Sequence, residues 1–140
     1  MSSDPLVKQI RIREGDGPKL MARVVGPRNT ALNQAAVSAV SWRLFNLKST
    51  TPGTAIDNGT LTVADVFFDS LQTSSDDPAW TEDATGYNFA YQFPADTFAL
   101  TASGAGRYRL EIRGTPTTGE KFWIGVWIVE VVDVLTDVST

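Results

Sequence analysis

Apolar positions recur every second residue along most of the chain, the pattern of strands that bury one face. In Val7–Arg13, Ile10 and Ile12 share one face and Arg11 and Arg13 the other. Glu14-Gly15-Asp16-Gly17-Pro18 is a turn by composition. Lys19–Val25 places Leu20, Ala22 and Val24 together and exposes Arg23, and Gly26-Pro27-Arg28-Asn29 ends it. The alanine-rich start of the next segment suits a helix, but Val40, Trp42 and Leu44 alternate with Ser41 and Arg43, which predicts a strand over about 36–47. Residues 48–60, with Pro52-Gly53 and Asn58-Gly59, read as a loop with two turns. Leu61–Leu71 fits two patterns: Val63, Val66, Phe67 and Leu71 suit a helical turn, while Val66–Phe68 suits the short strand preferred here.

The stretch from Asp69 to Phe98 opens with four carboxylates, Asp76, Asp77, Glu82 and Asp83, around Trp80. It then alternates Tyr87, Phe89, Tyr91 and Phe93, predicting a strand with those rings on one face and Asn88, Ala90 and Gln92 turned outward. Pro94–Phe98 is a connecting turn or a single helical turn, because proline stops the strand. Arg107–Arg113 is a half-buried strand with Tyr108, Leu110 and Ile112 inward. Lys121–Val134 is apolar on both faces: Phe122, Ile124, Val126, Ile128 and Val132 form one row, and Trp123, Trp127, Val129 and Val131 the other. About seven strands at short spacing, with turn signals between them and no strong long helix, predict an all-β sandwich. No internal repeat is visible.

A length of 140 residues corresponds to one domain, residues 1–140, with about 1–9 and 134–140 as terminal arms. The net charge is -4 and the basic residues do not cluster in sequence, so neither nucleic acid nor membrane is an expected partner. There is no cysteine and no histidine, which removes disulfides, thiolate chemistry and the commonest general base and transition-metal ligand. The first residues lack the basic and apolar regions of a signal peptide, and no apolar run reaches the length of a membrane span. Place of synthesis is therefore expected to be the cytoplasm.

Gly106-Arg107-Tyr108 before an alternating strand resembles the sixth strand of an immunoglobulin-like sandwich, where that tyrosine often forms a corner hydrogen bond. The position four residues before Tyr108, often Asp in such folds, is Gly104. Trp42 in the third predicted strand suits the tryptophan that commonly fills the centre of such a sandwich. From about Ile10 to Val132, the succession of the Trp42 strand, Val66–Thr73, Trp80, the 87–98 strand and turn, and the last two strands is similar to small structural proteins of tailed bacteriophages. It is also similar to the N-terminal immunoglobulin-like domain of phage baseplate upper proteins. This resemblance implies an immunoglobulin-like antiparallel β-sandwich located in the virion. It implies a capsid decoration (cement) protein that binds the major capsid protein as a homo-oligomer, a trimer in many such proteins. A tail, neck or baseplate component is the nearest variant.

The residues allow other classes to be weighed. Calcium takes six to eight oxygen ligands, and the four acids around Trp80 could supply several. They lack the D-x-D-x-D-G spacing of a calcium loop, and Pro78 and Trp80 interrupt them, so a solvated crossing loop anchored by Trp80 is expected, with no metal and no cofactor. A sugar platform built on Trp80 or the outward tryptophans is the competing binding class, while the row from Tyr87 to Phe93 reads as core. No catalytic fingerprint is present, so no enzyme is expected. The last strand is two-sided: one side is either covered within the domain or buried against another chain. The candidate interface residues are therefore Trp80, Asp76, Asp77, Trp123 and Trp127.

Overall fold

The computed structural model describes residues 7–13, 15–26, 30–47, 53–94, 97–98 and 106–132. Among these residues eight strands follow one another: β1 Val7–Arg13, β2 Lys19–Ala22, β3 Val37–Asn46, β4 Ala55–Leu61, β5 Phe67–Gln72, β6 Tyr87–Gln92, β7 Gly106–Pro116 and β8 Phe122–Val132. They form two packed sheets, one of order β1-β8-β7-β3-β4 and one of order β2-β6-β5. The chain is an all-β sandwich. All pairings are antiparallel except β1 with β8, whose parallel register joins Val7 to Val126 and Arg13 to Val132. Residues 7–9, assigned by sequence to an arm, belong to this pairing; 134–140 lie outside the described residues.

The core lies between the sheets. Leu20, Ala22, Phe67, Phe89 and Phe93 from the smaller sheet's side meet Val40, Leu44, Leu110, Ile112 and Val129 from the larger one. Trp42 packs against this cluster and meets Phe93 edge to face, with centroids 5.4 Å apart. Tyr108 is buried beside Phe98, while residue 104 of the expected tyrosine corner lies outside the described residues.

Several elements differ from the sequence reading for local reasons. Asn58-Gly59 is no turn. It lies within β4, where Gly59 pairs with Trp42 and the indole occupies the space a Cβ would take. The ambiguous segment holds both patterns in succession, a helical turn at Val63–Val66 and then β5, which begins at Phe67 and runs to Gln72.

The two rows of β8 exchange at a bulge. Ile112 pairs with Gly125 and Arg113 with Trp123, so Ile124 is an extra residue. Past it, Phe122 and Ile124 join Trp127, Val129 and Val131 on the core side, and Trp123 turns outward. Gly125 makes this possible, because its missing Cβ leaves room for the Trp127 ring, which would lie 2.5 Å from such an atom.

Candidate functional site

The acidic tract between β5 and β6 folds back over the outer surface of the smaller sheet. Trp80, 4% exposed, packs there with Met21, Tyr87 and Ala90, and Phe68 borders them. The reading that turned Asn88 and Ala90 to solvent is therefore corrected: both faces of β6 are covered, one by the core and one by this loop. The aromatic row is also divided. Phe89, Tyr91 and Phe93 face the core, whereas Tyr87 packs on Trp80 at 5.3 Å. Asn88 is buried and satisfied: its Oδ1 accepts from the Val24 amide at 2.7 Å, and its Nδ2 donates to the carbonyls of Val24 at 2.9 Å and Leu32 at 2.7 Å. Strand alternation gave no signal for it.

Each of the four acids has a partner that fastens the loop. Asp76 accepts from the Thr73 amide at 2.8 Å, closing a turn. Asp77 binds the Lys19 ammonium and accepts from the Ala79 amide. Glu82 pairs with Lys8 at 2.7 Å, and that ammonium also lies over the Trp80 ring. Asp83 accepts from the Gly86 amide at 3.0 Å and pairs with Arg23 at 2.7 Å, while the indole Nε1 of Trp80 donates to its carbonyl. The cations thus come from β1, from β2 and from the residue just after β2. The Lys19 bond, followed by the Ala79 amide, holds the Asp77 carboxyl below its ordinary value; for Asp83 the Gly86 amide leads and Arg23 follows. Burial pushes the Tyr87 hydroxyl up, with the negative charge of Asp77 adding to it. Gly86 closes the loop at φ +105°, its Cα so near the Gln72 carbonyl that a Cβ would lie 2.1 Å from the oxygen.

The five candidate interface residues therefore separate. Trp80 is enclosed by its own chain, and Asp76 and Asp77 are bonded within the loop. Trp127, 2% exposed, lies in the core. Of the three candidate tryptophans, Trp123 alone reaches a surface, the outer face of the five-stranded sheet, where the Arg113 guanidinium stacks 4.5 Å from its ring centre. Around it, Arg43 lies over Phe45 at 5.7 Å, Glu111 accepts from Arg109 at 2.8 Å and lies 3.5 Å from Arg43, and Arg11 pairs with Glu130 at 2.8 Å. Val126 and Ile128 fill the rows between these charges. Among the described residues no group of three or more acids stands together as a metal-ion site, and no helix is long and apolar enough to cross a membrane.

The fold is a two-sheet β-sandwich that presents a broad sheet face carrying Trp123. Comparison of the chain with family models, with curated proteins and with solved structures finds no match.

Proposed function

We propose that this chain is a non-enzymatic virion structural protein of a tailed bacteriophage, acting as a capsid decoration protein that binds the major capsid protein and stabilises the head. The observation that carries a binding role is the outer face of the larger sheet, where the half-buried Trp123 and Ile128 lie among arginines on a surface made of regular strands. Tryptophan and arginine are the side chains most enriched where proteins dock. A rigid sheet face suits a permanent contact. The phage setting rests on the sequence resemblance between about Ile10 and Val132.

Connectivity supports the immunoglobulin-like part of this reading. The second, fifth and sixth strands form one sheet and the third, fourth, seventh and eighth the other, the division found in variable-type immunoglobulin sandwiches. The first strand joins the larger sheet beside the last. Assembly as a homo-oligomer and residence in the virion belong to the same proposal. The sugar-platform alternative loses its main support, because Trp80 is enclosed and the rings of β6 are engaged on both faces.

The test is mass spectrometry of purified particles from the phage or prophage that encodes the chain, with heads and tails separated. The chain is expected in the head fraction, in fixed ratio to the major capsid protein. Presence in tails alone would move it to the tail variant, and absence from both would overturn the proposal.

A further inference from the structure

We infer that the outer face of the five-stranded sheet is a docking site for an acidic surface of another protein, with guanidinium groups as its anchors. This rests on the reading that the chain works by binding other proteins, and it names which face and which partner chemistry.

Charge is segregated in a way the sequence hides. Strand alternation and register bring Arg11, Arg13, Arg43, Arg107, Arg109 and Arg113 onto this one face, against two acids on its strands, Glu111 and Glu130, with Asp16 beside Arg11 and Arg13 at its edge. The remaining described residues, Asp16 included, carry nine acids against four cations. The face is thus basic on a chain of net charge -4, and its cations are all arginines. Arginine's planar fork binds carboxylates in pairs of parallel hydrogen bonds and keeps its charge at any physiological pH.

Two features choose among occupants. A second copy seated face to face would set arginines against arginines, so isologous pairing through this surface is opposed by like charge. Nucleic acid is disfavoured by the two glutamates held within the face, Glu111 between Arg43 and Arg109 and Glu130 beside Arg11, and by the half-buried apolar Trp123 and Ile128 between the charges. A mosaic of apolar rows and arginines matches a protein surface that mixes carboxylates with aromatic or aliphatic groups. Arg113 marks the centre of the donor set: its Nε is buried with no hydrogen-bond partner among the described residues, while its plane is fixed on Trp123. A carboxylate docking beside Trp123 would meet a guanidinium plane already held by that ring, so less side-chain freedom is lost on binding.

The experiment measures fluorescence polarisation of a labelled short peptide alternating Glu and Tyr, titrated with the intact chain at low and at physiological salt. A peptide alternating Lys and Tyr and a single-stranded DNA oligonucleotide serve as comparisons. Wild type should bind the Glu peptide saturably and prefer it to both comparisons. Arg43→Gln with Arg107→Gln should weaken it by about tenfold or more, as loss of charge pairs at an interface does. Ser74→Glu with Ser75→Glu makes the same change in net charge on the opposite, acidic side and should leave binding within about twofold. Circular dichroism and melting of both variants confirm folding. No saturable binding by wild type, equal loss in the two variants, or tighter binding of the oligonucleotide would each overturn the inference. Absence of the chain from virions would remove the phage proposal and leave this result standing.

Discussion

Two buried side chains on β6 and its loop carry consequences out of proportion to their size. Asn88 makes three hydrogen bonds to backbone groups of Val24 and Leu32, which lie beyond the β2 ladder that ends at Ala22; of these groups the Val24 carbonyl also accepts from the Leu32 amide at 3.0 Å. Asn88→Ala should cost about 2–4 kcal/mol in urea denaturation, the penalty of stranding buried backbone groups. Asn88→Asp is sharper, because a carboxylate would face two carbonyls. Its folded pKa would rise above the unfolded value, so the variant binds more protons when folded and should regain stability as the pH falls from 7 toward the unfolded carboxyl value of about 4. Melting at several pH values checks that sign; a loss that deepens on acidification would show that Asn88 is held differently. Trp80 separates two functions of one side chain. Trp80→Phe keeps a ring against Met21 and Tyr87 but loses the indole donor to the Asp83 carbonyl, and should cost about 1–2 kcal/mol, whereas Trp80→Ala should cost about 3–5 kcal/mol. If Trp80→Ala left stability unchanged, the enclosed position described for that ring would be wrong.

At the scale of elements, the 73–86 loop is a cover held by charge, and its acid response follows from the two carboxyls set below their ordinary value of 3.8, Asp77 and Asp83. Their folded pKa lies below the unfolded one, so their contribution is complete above about pH 4 and is lost as the pH falls through the folded values. The hydrogen-exchange protection factors of residues 73–86, corrected for the intrinsic rate at each pH, should therefore fall below that pH while β3, β7 and β8 stay protected. Lys19→Met with Arg23→Met should move the transition upward in pH. Simultaneous opening of loop and core would show that the cover has no separate stability. This element also shows where the sequence was readable. Period two located most strands and the inward faces of β3 and β7, because each buries one face and exposes the other. It failed on β6, whose second face is covered by a loop remote from β2 in sequence, and on β8, where one extra residue at Ile124 reverses the rows. It misread Asn58-Gly59 because that glycine answers the Trp42 ring across the ladder, a tertiary demand that imitates a turn signal. Of the candidate interface residues, Trp123 was legible as one member of a two-sided strand. The arginines beside it were visible singly, and only register assembles them into a face.

Over the whole molecule, the larger sheet is closed by its most distant segments. β1 pairs with β8 across nearly the full chain, with Arg11 bonded to Glu130 at a separation of 119 residues, and Lys8 reaches from the same strand to Glu82 in the loop. One strand thus edges the large sheet on one side and pins the cover of the small sheet on the other. Such a contact repays its loop-closure entropy only after the strands it rests on are in place. The β7-β8 hairpin with β3 beside it, burying Leu44, Leu110 and Trp127, is the more economical nucleus, because each of its ladders is long and these side chains are fully enclosed. Refolding is accordingly expected on the millisecond-to-second scale of non-local β topologies. Leu110→Ala, which should cost about 2–5 kcal/mol at a fully buried position, should both slow folding and speed unfolding. Ile12→Ala, at a half-buried edge position with a smaller cost of about 1–2 kcal/mol, should act almost wholly on unfolding, since β1 docks after the main barrier. Stopped-flow chevrons of the two variants decide it. A φ-value near one at Ile12 would mean that the parallel β1–β8 pair forms early and that the sandwich closes from its ends inward.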